Sequence, residues 1–325
     1  MKKRLPLFFI FLLLVSPFSW ASHIVGGEFQ IAYTGRGNNY QLMMKMYFDE
    51  SNSGGELREP YVKAAIYRKR DNYLIRTIDL RKTFDARVPY AFEGCLMNVG
   101  NILQYSLLKY TSDIVLDPQI YNDPEGYYVV WERCCRNEEI DNIQYPDETG
   151  QAFYMEFGPT FLPSGVRYLG SPVFPDIKGD YYCINTDYNL DFGAVDASKN
   201  FADSLVFSLI TPYEGYTTGG NPIKSIPSPA PYPFVDWKPG YSGQFPLGIG
   251  SYFSINRYTG ILSFNSKNPG LYLFGVICEQ YKDGKKIGEV RRDFQFKFVT
   301  CNYNYEPVFE LRKDNVKIPE SDTIY

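Results

Sequence analysis

Six cysteines, one histidine and 37 acidic side chains are the residues of this chain with the most chemistry to offer. The cysteines are Cys95, Cys134, Cys135, Cys183, Cys278 and Cys301. An even count in an exported chain argues for disulfides. Cys134 and Cys135 are adjacent, unlike the Cys-x-x-Cys of redox and zinc sites. Neighbours on a strand point to opposite faces, so each is expected to seek a different partner. Cys95 is expected to bond to Cys134 or Cys135. Cys183 opens the second half of the chain and Cys301 closes it, which predicts a bond between them. Cys278 competes for Cys183 or stays a buried thiol.

"SHIVGGEF" at 22–29 resembles the start of an activated trypsin-like protease. Such an enzyme needs a histidine base, an aspartate and a serine in one geometry. The only histidine, His23, precedes the Ile-Val-Gly-Gly, and no Gly-Asp-Ser-Gly-Gly follows. Gly26 and Gly27 instead predict a bend or bulge in a first strand. With one histidine, the commonest general base and transition-metal ligand is almost missing. Neither a phosphate loop nor His-Glu-x-x-His is present. The chain is read as non-enzymatic. Arg136 and Asn137, after the cysteine pair, are expected to satisfy local backbone groups.

Residues 1–21, with Lys2, Lys3 and Arg4 ahead of an apolar run and Ser19 and Ala21 near its end, read as a secretory signal peptide. The run is shorter than the roughly 20 residues of a spanning helix. No transmembrane segment is expected in the mature chain, which is placed outside the cell or on its surface. A net charge of −4 without basic blocks argues against nucleic acid.

The elements that must hold these residues read as β. "NYQLMMKMYFD" puts Tyr40, Leu42, Met44, Met46 and Phe48 on one face. "FQFKFV" alternates Phe294, Phe296 and Phe298 with Gln295 and Lys297, a half-buried strand. Asp283-Gly284 suits a tight hairpin. No long amphipathic helix is evident. The fold class predicted is all-β, two antiparallel Ig-like β-sandwiches in tandem, over 22–165 and 171–301. Residues 302–325 begin a further module or a tail. Residues 212–250 form a long insertion rich in aromatics. Its packed form would cover a sheet edge; its open form would present Tyr216, Tyr232, Trp237 and Tyr241 to a sugar or protein.

"ASHIVGGEF", "YVVWERCCRNEEIDNI", "SPAPYPFVDWKPGYS", "FSINRYTGILSF" and "KKIGEVRRDFQFKFVTC" occur in this order. Together, over about 21–301, they resemble the N-terminal region of large surface proteins associated with gliding motility and type IX secretion in Bacteroidetes. The second half also resembles Ig- and cadherin-like modules, through "AVDASKNFADSLVFSL" and "INRYTGIL". The resemblance implies a secreted or surface-exposed multidomain protein with a C-terminal sorting domain. This sequence shows no such domain, so further modules are expected outside it. Where the related modules carry closely spaced acids, this chain has Asp191, Asp196 and Asp203, a candidate calcium site short of ligands. The expected function is structural or adhesive, with other surface proteins or glycans as partners. The alternative is a carbohydrate-binding or carboxylate-dependent glycan-active protein, marked by a cleft with two converging carboxylates.

Overall fold

The computed structural model describes residues 24–50, 58–89, 105–177, 181–198 and 201–301, and the backbone of 312–313 and 316–317. The expected leader, His23 and Cys95 lie outside the described residues. The strands are β1 (Ile24–Tyr33), β2 (Asn39–Asp49), β3 (Tyr61–Arg68), β4 (Leu74–Arg87), β5 (Tyr105–Val115), β6 (Tyr127–Arg133), β7 (Gln151–Phe157) and β8 (Tyr181–Cys183). They continue as β9 (Tyr188–Asp191), β10 (Ser204–Ile210), β11 (Tyr252–Ile255), β12 (Ile261–Asn265), β13 (Gly270–Lys282) and β14 (Lys285–Val299). Beyond Cys301 only a short hairpin is described, β15 (Arg312–Lys313) with β16 (Val316–Lys317). Among the described residues no helix is long and apolar enough to cross a membrane.

The chain is all-β and almost wholly antiparallel. Alternation works as expected in β2, where Tyr40, Leu42, Met44, Met46 and Phe48 are all buried. The β13–β14 hairpin turns at Asp283 and Gly284, with φ of 51° and 70°. Both residues thus adopt the left-handed conformation that this two-residue turn requires.

The expected boundary between halves does not appear as two separate sheets. Strands run in the order β1-β2-β5-β4-β3-β6-β7-β14-β13-β10 within one eleven-stranded sheet, β8 lying off this path. One edge of β14 pairs with β13. Its other edge meets β7 (Val290↔Met155), then β1 (Asp293↔Gly27), then β8 in parallel (Val299↔Cys183). The pairings therefore return from β14 to β1 and close on themselves. The core is continuous too: Phe294, on a second-half strand, packs edge-on against Tyr47 at 5.1 Å between ring centroids. On the far side, the three-stranded sheet β11-β12-β9 packs on β13 and β14 through rings such as Phe253 on Phe274.

Gly26 and Gly27 owe their identity to this closure. The β1–β2 register shifts between Ile24 and Gly26. A Cβ at Gly26 would fall on the Asp293 carbonyl oxygen, and one at Gly27 on the Lys45 carbonyl oxygen. The glycines allow the backbones to approach where β1 meets β14.

The Pro- and Gly-rich residues 160–177, at the expected join of the two domains, form a strap across the first half. The Tyr40 hydroxyl donates to the Tyr168 carbonyl at 2.6 Å, and Ile31 N–H donates to Ser171 Oγ at 3.0 Å. Beneath the strap, Arg292 is fully buried and donates to Glu28 at 2.7 and 3.1 Å and to the Pro175 carbonyl at 2.7 Å. This grip holds β14, β1 and the strap together.

Candidate functional site

Alternation predicts a solvated polar face for β14, yet Glu289, Asp293 and Gln295 on that face are buried. A layer without regular strands, built from 134–150 and 212–250, lies over it. Four polar side chains fasten the layer. Arg136 donates to both carboxylate oxygens of Asp293, at 3.1 and 2.7 Å, and to the carbonyls of Gly150 and Tyr213. Its partner lies 157 positions away, so the local backbone role expected for Arg136 is only part of its function. Asn142 donates to the Pro246 and Leu273 carbonyls and accepts from Leu273 N–H. The Asp141 carboxylate accepts from Leu271 N–H at 2.9 Å.

Glu132 is the fourth. Its side chain is fully buried and accepts from Ser228 N–H at 2.6 Å, Ser228 Oγ at 2.7 Å and Tyr216 N–H at 2.7 Å. Hydrogen bonds to an ionised acceptor are the stronger class, and here they pin both ends of the 216–228 excursion. Glu132→Gln keeps the shape but puts an NH2 donor against one of the two backbone N–H groups, which point at different carboxylate oxygens. We expect limited proteolysis to cut 216–228 at least tenfold faster in this variant, with the strand signal in circular dichroism unchanged. Equal cleavage rates would contradict the clasp.

The aromatics proposed for ligand contact are mostly structural. Tyr232 is 5% exposed and packs with Tyr67, Tyr128 and Tyr154 on the sheet face. Trp237 is half-buried on Ile143, Val235 and Leu273. Tyr241 is half-buried against Tyr272. Only Tyr216 is exposed, at 45%, and its hydroxyl donates to the Pro231 carbonyl. The insertion thus covers a sheet face, not an edge, because Tyr67, Tyr128 and Tyr154 need an apolar lid.

The candidate calcium ligands do not converge. Asp191 accepts from Gly193 N–H, Asp196 from Ala202 N–H and Asp203 from Asp283 N–H. Each carboxylate serves a donor of its own. Among the described residues no group of three or more His, Cys, Asp or Glu is placed to hold a metal ion, and the calcium expectation is withdrawn.

The cysteines depart from expectation at the adjacent pair, which is not bonded to Cys95, while the Cys183–Cys301 bond and the buried Cys278 are as expected. Cys134 and Cys135 are bonded to each other. Strand β6 ends at Arg133, so the alternation that would send them to separate partners no longer applies to them. Cys183 and Cys301 are bonded, with Cα atoms 5.4 Å apart, inside the usual disulfide range. Cys278 is a buried free thiol, and burial pushes its pKa well above the ordinary value.

One cavity is a cleft of about 260 Å³ at the turn end of the large sheet. The end of β7, the β13–β14 turn, the β3–β4 turn and the loops at 124–125 and 158–164 all contribute to it. Its rim carries Lys69, Lys282, Lys285 and Lys286 together with Glu125, Glu156 and Asp283. Lys69 pairs with Glu156 at 2.5 Å. Lys286 pairs with Glu279 at 3.2 Å and more closely with Glu289. Burial works against its charge, but the Glu289 hydrogen bond and the charges of Glu289 and Glu156 outweigh that and hold its pKa above the usual lysine value. The sequence offered no signal for this cleft, since its residues come from four separate segments. No family model, no curated protein and no solved structure matches the chain.

Proposed function

We propose that the chain is a non-catalytic structural or adhesive module of an exported, cell-surface protein, of the kind associated with gliding motility or type IX secretion. In this reading residues 1–21 direct export and the second half is an Ig-like sandwich that shares β14 with the first. Other surface proteins or glycans are its partners. The observation that carries the reading is the use of the buried charges. Glu28, Glu132, Arg136, Arg292 and Asp293 face one another or backbone groups from distant segments. They lock layers together and leave the outer surface rigid, which suits a module that holds a partner. Rigid presentation lowers the ordering cost of binding.

A second reading has one observation in its favour: three carboxylates, Glu125, Glu156 and Asp283, line one cleft, as a glycan-active site would require. Beads coated with the full chain separate the two. The first reading expects the beads to be retained on bacterial cells or polysaccharide films, with chromogenic glycosides left unhydrolysed. Hydrolysis that copurifies with the protein and disappears in Glu156→Gln would overturn it in favour of the second.

A further inference from the structure

The geometry points to the turn-end cleft as a saccharide site that takes one ring of a neutral glycan through its hydroxyl groups. The inference rests on the adhesive reading and supplies its ligand class. Position is the first argument. The cleft includes Lys285, where β14 begins, while Cys301 follows the other end of that strand. At about 3.3 Å per residue the two ends are separated by roughly 45 Å. Ile24 also lies at the Cys301 end, where its carbonyl accepts from the Gln295 amide. Both ends of the described body therefore leave from one pole, and the cleft opens at the other.

Charge is the second argument. A purely anionic ligand would meet Glu125, Glu156 and Asp283; a purely cationic one would meet the lysines. A sugar hydroxyl both donates and accepts, so it matches a rim that carries both signs. Lys285 and Glu125 are exposed and have no ion-pair partner among the described residues, which leaves them available. Between them, Pro124, Pro159, Leu162 and Ile287 supply apolar wall for the C–H faces of a ring.

Size and edge pairing exclude other occupants. The volume of about 260 Å³ falls just below the roughly 300–1,000 Å³ of sites that enclose drug-sized molecules, so it admits a single ring of a longer chain. A peptide would gain most by adding a strand to an open edge. Here β7 and β14 pair with each other at Glu156↔Glu289, and Lys285 pairs with Lys282, so that edge is occupied.

The test is a printed array of neutral, uronate-bearing and sulfated glycans, probed with the full chain and with Glu125→Gln, Lys285→Gln and Tyr216→Ala. Both rim residues are exposed, so unchanged melting temperatures are expected. The inference expects neutral glycans to bind, at least a tenfold loss in each rim variant, and no change in Tyr216→Ala. An array that stays blank, binding only to charged glycans, binding that survives both rim changes, or selection of peptides in their place overturns it. If the coated beads still adhere while the array is blank, the adhesive reading stands and the saccharide site alone falls; if the beads fail as well, the reading itself falls.

Discussion

Replacing Arg136 with methionine is expected to destabilise the protein by about 3–5 kcal/mol, the range for breaking a buried ion pair by removing one partner. The Arg136 side chain is 0% exposed and that of Asp293 is 8% exposed. Removing the guanidinium leaves the Asp293 carboxylate in the interior without its two donors, and the Gly150 and Tyr213 carbonyls each lose one. Most of the cost is that uncompensated charge, not the worth of the pair itself. The double variant Arg136→Met/Asp293→Leu should therefore recover most of the loss, because apolar groups of similar volume often replace a buried pair at little cost. Chemical denaturation measures both. A single variant within 1 kcal/mol of the parent, or a double variant no better than the single, would show that the pair does not hold the layer on the sheet.

Removing the Cys183–Cys301 bond has the second large effect. The bond spans 118 positions. In the chain-entropy model a closure of that length restricts the unfolded chain by about 4–5 kcal/mol, and native disulfides typically contribute 2–5 kcal/mol. Cys183→Ser/Cys301→Ser should lose stability in that range. The loss should appear at the C-terminal end of β14 first, because β8 is short and pairs with that strand along Lys297↔Tyr181, Phe298↔Tyr182 and Val299↔Cys183, beside the bond itself. Hydrogen exchange resolves this: faster exchange at 181–184 and 297–299, with 290–294 still slow, is the expected pattern. Uniform acceleration along β14 would contradict it.

The strands themselves were legible because burial leaves a period of two in the sequence. β2 and the Phe294, Phe296, Phe298 face of β14 read correctly on that ground, and Asp283-Gly284 marked its hairpin. Alternation reports that a face is covered, however, and does not name the cover. Gln295 looked solvated from its type, yet the layer over β14 buries it. The closure of β14 on β7 and β1 was hidden for a similar reason: any apolar strand can pair with any other, and only Gly26 and Gly27 marked a close approach. The fasteners were invisible because a charged residue in a list carries no address for its partner. Glu132 meets Ser228 across 96 positions, and Arg292 meets Glu28 across 264. The cysteine pair misled because the strand rule was carried two residues past the end of β6. As for the candidate site, the aromatics of the insertion were visible as a group, but whether they face outward depends on the tyrosines beneath them.

The central claim is that both halves form one body, closed through β14 and fastened by charges that cross between them. Scanning calorimetry of the full chain tests it most directly. One body predicts a single transition whose calorimetric and van't Hoff enthalpies agree, and no cooperative melting from residues 22–165 made alone, since that piece lacks β14 and the Asp293 and Arg292 contacts. Two resolved transitions, or a 22–165 fragment that melts cooperatively near the temperature of the full chain, would contradict it.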